Sequence, residues 1–586
     1  MCRIFVLSFA GWIFTVFTLT GQDLTKKVDS SLRRKFEKNT TAEYIILMKD
    51  RAVFKSPLPF NTKNEKAAFV YRTLVQKAES TQKSLVSYLK SKNIDYQSFY
   101  VTNAIKTTTS YDVMLSIASL QEVEKIIDNG PIKMLNFDQD HTLPSIRNAE
   151  PEWGLKMIKA DSVWQLGIRG GGAVIAGQDT GYDWGVSPLK PKYKGYVNNN
   201  LTDHNYNWHD AIIKNNPVFA DSLRNPCGYN LREPCDDNNH GTHTMGTMVG
   251  EDDSNSIGVA PDARWIACRN MDRGWGQPST YMECFEWFLA PYDLDHNNAD
   301  PTKSPHVINN SWYCSEEEGC NASNFILMEE IVKNLKASGV VVVVSAGNSG
   351  GAGCGSVTGP PAFFESSFSV GATNREDNIA GFSSRGPVVI DSSFRLKPNV
   401  SAPGVGVRSV ISGGSFASFN GTSMAGPHVA GLVGLIISAN PSLAGKVEVI
   451  EDIIEATAVP RFSNQDCGDF KGSEVPNAVF GHGRVDAYAA VKKALAYTSN
   501  TSDDVKPQVS IFPNPTDDWL TFTSNDGTEY LKVIEIFNSA GQLISKQVSD
   551  SNLFIKTIPV HTLPQGVYFY SITIGISKVK GRFVKM

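Results

Sequence analysis

Residues Val340 to Val344 are five consecutive valines, and no other stretch restricts the fold so strongly. β-branched side chains favour strands. Because successive side chains of a strand point to opposite faces, such a run is stable only where both faces are buried. Strands of that kind lie in parallel sheets covered by helices on both sides. The runs Ala173 to Ala176, Trp265 to Ala267 and Phe368 to Val370 have the same texture, and the apolar stretches Phe325 to Ala337 and Ser423 to Ala439 read as covering helices. Residues 151–498 are therefore expected to form one large α/β domain with a mostly parallel sheet and helices on both faces.

The flanks read differently. Glu43 to Met48 is a short β-rich run, followed by a helical pattern at Tyr71, Val75, Ala78, Leu85 and Leu89 and a Thr-rich strand pair around Phe99 to Thr109. A second amphipathic stretch with Val113, Ile117, Leu120, Val123 and Ile127 and a last strand, Ile132 to Phe137, complete a β-α-β-β-α-β order. Residues 43–137 thus read as an α+β ferredoxin-like unit, an arrangement that by itself serves many functions. After the polar linker Thr498 to Lys506, the strands Trp519 to Thr523, Leu531 to Phe537, Phe554 to Ile558 and Val567 to Ile574 suggest a small all-β sandwich over residues 506–586.

Near the N-terminus, the apolar run Ile4 to Leu19 sits between Arg3 and the polar Gln22 to Lys27. It reads as a signal peptide over residues 1–21, too short for a comfortable membrane span. Elsewhere the 586 residues have ordinary globular composition, with a net charge of −5 and 41% hydrophobic residues. That excludes a polybasic nucleic-acid binder, a disordered acidic chain and a polytopic membrane protein. Of nine cysteines, Cys2 lies in the leader segment; the even remainder in an exported chain points to disulfides. Spacing does not fix the pairing, although Cys227 with Cys235 and Cys314 with Cys320 are the simplest pairs.

Four motifs concentrate chemistry in the large domain. Gly177-Gln178-Asp179-Thr180-Gly181 places a carboxylate at a strand's C-terminal end, where open α/β sheets build their sites; alone, Asp-Thr-Gly is more often a turn. Asn239-His240-Gly241-Thr242-His243 opens an apolar stretch, and a glycine after His240 lets the ring sit close to another segment. Asn420-Gly421-Thr422-Ser423 puts a serine at a helix start, whose N–H groups favour developing negative charge; a lone serine there would be only a cap. Ser345-Ala346-Gly347-Asn348 follows the valine strand and offers an amide donor. Cys227, Cys235, His240 and His243 invite a zinc reading, but their spacings do not suit the usual sites, and no metal ligand is assigned.

In the order Asp179, His240, Ser423, with Ser401-Ala402-Pro403-Gly404 and Gly481-His482-Gly483-Arg484-Val485 behind them, the chain resembles the subtilisin-like serine proteases. Within them it is most similar to the bacillopeptidase F type, through Ile257 to Pro261, Glu286 to Pro291 and Val307 to Trp312. The resemblance implies a secreted endopeptidase needing no cofactor. Ser423 would be the nucleophile, His240 the general base and then acid, and Asp179 the group that orients the imidazole. Asn348 and the Ser423 N–H would form the oxyanion hole. Substrate would lie along Ser311, Trp312 and Tyr313 on one side and Ser345, Ala346, Gly347 and Gly359 on the other, as an added strand. Tyr313 stands where the family usually has glycine and should crowd the pocket mouth. His243 and His428 read as packing histidines.

By the same resemblance, residues 43–137 are an inhibitory propeptide, and the chain should cut itself between about Asn136 and Glu150. Ile511-Phe512-Pro513-Asn514-Pro515, Leu563 to Tyr568 and the basic Lys578, Lys580, Arg582 and Lys585 resemble a type IX secretion sorting domain. The partners implied are protein or peptide substrates, the propeptide and the type IX machinery, with no nucleic acid. The product would be secreted or attached to the outer-membrane surface after crossing the periplasm. Oxygen-rich loops such as Asp252-Asp253-Ser254-Asn255 leave room for a structural calcium. A catalytically dead adhesin and a ligase that passes the acyl group to an amine compete with this reading; fluorophosphonate labelling and product mass separate them.

Overall fold

The computed structural model describes residues 26–54, 58–134, 138–140, 148–220, 222–312, 325–497, 509–524, 530–548, 554–574 and 577–586. The expected signal peptide, the linker beyond Tyr497, Tyr313 and the Cys314–Cys320 pair lie outside these residues.

The N-terminal unit contains β1 (Thr41–Met48), α1 (Lys63–Ser91), β2 (Tyr96–Phe99), β3 (Ala104–Ser110), α2 (Tyr111–Ala118) and β4 (Val123–Asp128). Helix α1 begins at Thr62 with a reciprocal cap: the Thr62 hydroxyl oxygen accepts the Glu65 N–H, and the Glu65 carboxylate accepts the Thr62 N–H. The strands lie in the order β2-β3-β1-β4, each pair antiparallel.

Two expectations fail here. Val123 and Ile127 do not extend the second helix, which stops at Ala118; they belong to β4, paired with β1. Apolar residues at 123, 126 and 127 fit a helical face as well as a strand, and the open edge of β1 decides, because pairing satisfies backbone groups on both chains. The segment from Ile132 does not close this sheet either. Instead β5 (Ile132–Lys133) and β6 (Asp138–Asp140) leave the unit and pair with strands of the central region.

In chain order the central region contributes β7 (Val174–Asp179), β8 (Trp208–Asp210), α3 (His240–Val249), β9 (Arg264–Arg269), β10 (Trp275–Gly276), α4 (Pro278–Leu289), β11 (Val307–Asn310), α5 (Phe325–Ala337), β12 (Val341–Ser345), β13 (Phe368–Thr373), β14 (Val400–Pro403), β15 (Phe416–Asn420) and α6 (Thr422–Ala439). Seven strands form one parallel sheet ordered β8-β9-β7-β11-β12-β13-β14. The valine run is buried as anticipated: Val341 and Val343 enter the core beneath α6, whereas Val340, Val342 and Val344 enter the core beneath α4 and α5.

The C-terminal region holds β16 (Val509–Phe512), β17 (Trp519–Ser524), β18 (Leu531–Phe537), β19 (Leu543–Val548), β20 (Ile555–Pro559), β21 (Gly566–Ile574) and β22 (Ser577–Lys585). Two antiparallel sheets, β16-β17-β20 and β19-β18-β21-β22, close on one apolar cluster that includes Leu520, Phe522, Ile534, Ile536, Ile558 and Ile572.

Candidate active site

Strand β7 ends at Asp179, and α3 begins at His240, so the parallel sheet delivers a carboxylate to its C-terminal edge and a helix start delivers an imidazole beside it. His240 Nδ1 lies 2.8 Å from Asp179 Oδ1 and 2.9 Å from Oδ2, and both side chains are buried. Asn239, the residue ahead of the helix, adopts a left-handed φ of 74° that turns the chain into α3. Gly241 permits the approach: a Cβ there would fall 2.0 Å from the Gly181 carbonyl oxygen and 3.1 Å from Asp179 Cβ.

The second half of the site is the start of α6, one layer above the sheet. Asn348 Oδ1 accepts the Thr422 N–H (2.9 Å) and the Thr422 hydroxyl (2.8 Å), which turns the Asn348 Nδ2 donor the other way. A Cβ placed on Gly421 would lie 3.5 Å from both Asn348 Nδ2 and the Ser423 backbone N. Both nitrogens therefore lie at the same distance from the point that Gly421 leaves without a side chain. Ser423 is 8% exposed; its hydroxyl donates to the Ser311 carbonyl (2.9 Å), while the Ser311 hydroxyl donates to the Ser423 carbonyl (2.7 Å).

A carboxylate-held imidazole, a helix-start serine and two converging N–H donors match what known proteins reveal. The subtilase family model covers residues 170–483, more than half of the chain. The chain belongs to the subtilase family. A second model, for a secretion system C-terminal sorting domain, matches residues 510–586, which is the type IX sorting domain of this subtilase. Bacillopeptidase F of Bacillus subtilis (strain 168) is 32% identical over 558 residues, spanning 88% of this chain but only 36% of its own length. Subtilisin E of the same strain is 31% identical over 341 residues, 57% of this chain and 74% of its own. Subtilisin of Bacillus pumilus is 32% identical over 308 residues, 52% of this chain and 90% of its own.

Other residues singled out in the sequence sit around this centre. Ser345 and Ala346 close β12 and are buried, and Ala346 N–H donates to the Val370 carbonyl. Gly347 N–H donates to the Thr422 hydroxyl (3.2 Å), which ties this loop to the helix start. Trp312 is buried and its ring stacks on Tyr281 with centroids 4.0 Å apart, within the apolar cluster that also holds Phe285 and Leu327. Gly359 lies in the turn before Pro360, where its carbonyl accepts the Ala362 N–H.

The candidate zinc group is dismantled. Cys227 and Cys235 form a disulfide, as do Cys268 with Cys284 and Cys354 with Cys467; the last two pairs were not legible from spacing. His243 Nε2 faces the Val407 and Ala417 carbonyls and its ring stacks on Phe419. His428 Nδ1 faces the Met424 carbonyl. Burial pushes the His243 imidazole down to about 3 and that of His428 to about 4, so both pack as neutral rings. Asp252 Oδ1 accepts from the Ser254 N–H and the Asn255 amide within its own hairpin. Among the described residues no group of three or more His, Cys, Asp or Glu side chains converges as a metal site.

Two features of the site escaped sequence reasoning. Asp236, four residues before His240, has a fully buried carboxylate that burial raises above the usual range. Its signal was present as the pair Asp236-Asp237 behind Cys235. The other is the pairing of the chain's own segment with the cleft: Ile132 and Lys133 lie antiparallel to Gly276 and Trp275, Met134 N–H donates to the Gly274 carbonyl (2.7 Å), and Asp138 to Asp140 pair with Asn420 to Ser418.

Proposed function

We propose that this subtilase is a secreted serine endopeptidase, made as a self-processing zymogen, that hydrolyses peptide bonds through an acyl-enzyme on Ser423. The observation that carries the reading is the placement of Asn348 Nδ2 and the Ser423 backbone N at 3.5 Å from one point at Gly421, in a chain whose Asp179 grips His240 through Nδ1. A serine hydroxyl is a weak nucleophile at neutral pH and needs a neutral imidazole to take its proton. With Nδ1–H donated to Asp179, the basic lone pair is on Nε2. In the proposed mechanism the Ser423 hydroxyl leaves the Ser311 carbonyl and gives its proton to that nitrogen. Attack on a substrate carbonyl leaves an oxyanion for Asn348 and the Ser423 N–H; His240 returns the proton to the departing amine, and water then reverses the sequence to free the acyl group.

The N-terminal unit reads as the inhibitory propeptide, with a ferredoxin-like order supported by its strand sequence β2-β3-β1-β4. Its tail supports the zymogen reading. Met134 is bonded on one side of the cleft, and Asp138 is paired with Asn420, three residues before Ser423. On this reading the cut bond would lie between Met134 and Asp138, overlapping the start of the interval from about Asn136 to Glu150 expected from sequence. The sorting domain supports export by the type IX machinery; the reading adds passage through the periplasm and protein substrates met outside the cell.

Stoichiometric labelling of Ser423 by a fluorophosphonate tests the reading, together with Asn348→Ala. Losing one oxyanion donor should lower kcat by roughly 10² to 10³ while labelling persists. An unlabelled wild-type chain would sink the proposal.

A further inference from the structure

Between the strand that carries Asp179 and the helix that carries His240 lies one buried carboxylate that the catalytic scheme leaves without a role. Asp236 Oδ1 accepts the Thr180 hydroxyl (2.9 Å) and the backbone N–H groups of Asn238 and Asn239 (3.0 Å each). Its Oδ2 accepts the Thr242 N–H (2.9 Å) and the Thr242 hydroxyl. Every one of these donors is neutral, whereas the neighbouring Asp237 has Arg269 Nη1 at 3.5 Å. A carboxylate enclosed by neutral N–H and O–H groups is a structural hydrogen-bond acceptor, not half of an ion pair.

What it joins is specific. Thr180 directly follows Asp179, and its N–H donates to Asp179 Oδ1 (2.8 Å). The Thr180 hydroxyl, while donating to Asp236, accepts the Gly241 N–H (3.1 Å) from the residue after His240. Asn238 and Asn239 lead into His240, and Thr242 lies two residues beyond it. A closed ring of bonds therefore runs from Asp179 through Thr180, Asp236 and the first turn of α3 back to the Asp179–His240 contact. Asp236 is itself anchored: Cys235 is disulfide-bonded to Cys227, and the Cys235 carbonyl accepts the Tyr182 N–H.

We propose that Asp236 is a positioning residue for catalysis, setting the register of the β7 end against the start of α3 so that Asp179 and His240 meet in reactive geometry. The reason is leverage. A displacement of about 1 Å between reacting groups costs on the order of 10²-fold in rate.

The inference rests on Asp179 and His240 acting as a catalytic pair. The test uses the full chain purified after secretion, with the N-terminal unit removed by an added protease in every variant and rates normalised to protein concentration. Asp236→Asn puts an amide donor where one set of donors needs an acceptor. It should lower kcat by roughly 10- to 100-fold with KM changed less than about twofold. In a His240→Ala background, where no imidazole remains to be aimed, the same substitution should leave the residual rate within about twofold. Thr180→Val, which removes only the linking hydroxyl, should show the same pattern at smaller size, and Thr180→Ser should restore the rate; this pair carries the test if Asp236→Asn is not secreted. Wild-type kcat in a folded Asp236→Asn or Thr180→Val chain overturns the inference. So does an equal fractional loss with and without His240. A His240→Ala chain of full activity would instead refute the triad reading beneath it.

Discussion

The two small units at the ends of the chain are both built on antiparallel sheets, yet they close their cores in opposite ways. In the C-terminal unit the two sheets cover each other, and every residue of the shared cluster comes from within the unit. Phe512 touches Phe60 and Phe69 at its margin but stands outside that cluster. The N-terminal sheet has only one face of its own. Tyr44, Ile46 and Met48 are covered by α1 and α2, whereas Ile45, Leu47 and Ile127 are buried with Tyr281, Phe285, Leu327 and Ile331 of α4 and α5. The Glu286 carboxylate of α4 completes the join by accepting the Tyr100 and Val101 N–H groups (2.6 and 2.8 Å). A closed core can be moved as a cargo tag without disturbing its neighbour. A shared core makes departure of the N-terminal unit expensive, so under the proposed zymogen reading its release would need a cut chain and removal of the freed piece.

The largest effect expected is from Ser423→Ala. Turnover should fall by roughly 10⁶, and mass spectrometry should find the N-terminal unit still covalently attached. If that chain, made without other proteases, is cut between Met134 and Asp138, processing is not its own chemistry. Next comes a pair of core lesions. Leu47→Ala and Ile558→Ala should each cost about 2–5 kcal/mol at their own site. Only Leu47→Ala, in the shared core, should weaken inhibition by the cut N-terminal unit, by roughly 30-fold or more; Ile558→Ala should affect export while leaving the protease Tm unchanged. Deleting residues 506–586 should likewise give a folded, active enzyme that stays in the periplasm. A protease destabilised by either C-terminal change would break the contrast.

The shared interface also carries a pH signature. Burial holds the docked Glu286 carboxyl at about 8 against its ordinary 4.5, so docking binds a proton and weakens as pH rises from 4.5 to 8. Burial holds the docked Lys63 ammonium at about 7 against 10.5, so docking there releases a proton and strengthens as pH rises from 7 to 10.5. Lys63 donates to the Ser304 carbonyl (2.8 Å) beneath the central region. Dissociation of the cut unit should therefore be fastest near pH 7 to 8, with each arm approaching tenfold per pH unit. Lys63→Met should flatten the alkaline arm and Glu286→Gln the acid one; stopped-flow recovery of activity across pH reads both. The smallest effect concerns the tail: Lys133 Nζ stands 5.8 Å from the Trp275 ring centroid, directly across the strand pair. Trp275→Ser should reduce preference for Lys over Gln at that substrate position by roughly two- to fivefold, measurable on a peptide series.

The sequence by itself determined the architecture of the central region and singled out its candidate reactive groups. Five valines in a row permit only a strand buried on both faces, and Asp179, His240, Ser423 and Asn348 each follow or begin an element whose type is set by local pattern. It also delimited the C-terminal unit, although β22 was hidden by its charged face, where Lys580 and Arg582 are exposed. Wherever a second segment had to arrive, sequence was insufficient. The residues 123–127 became a strand because β1 offered an unpaired edge, Ile132 to Met134 left their own unit because the cleft offered another, and the cysteines at 268, 284, 354 and 467 found partners across folded distance. Asp236 shows the same limit at the site: a carboxylate four residues before a histidine looks like a solvated turn until Thr180 and Thr242 close around it. Periodicity and propensity are properties of a single segment, whereas pairing, burial and hydrogen-bond satisfaction are properties of two, and only the tertiary structure supplies the second.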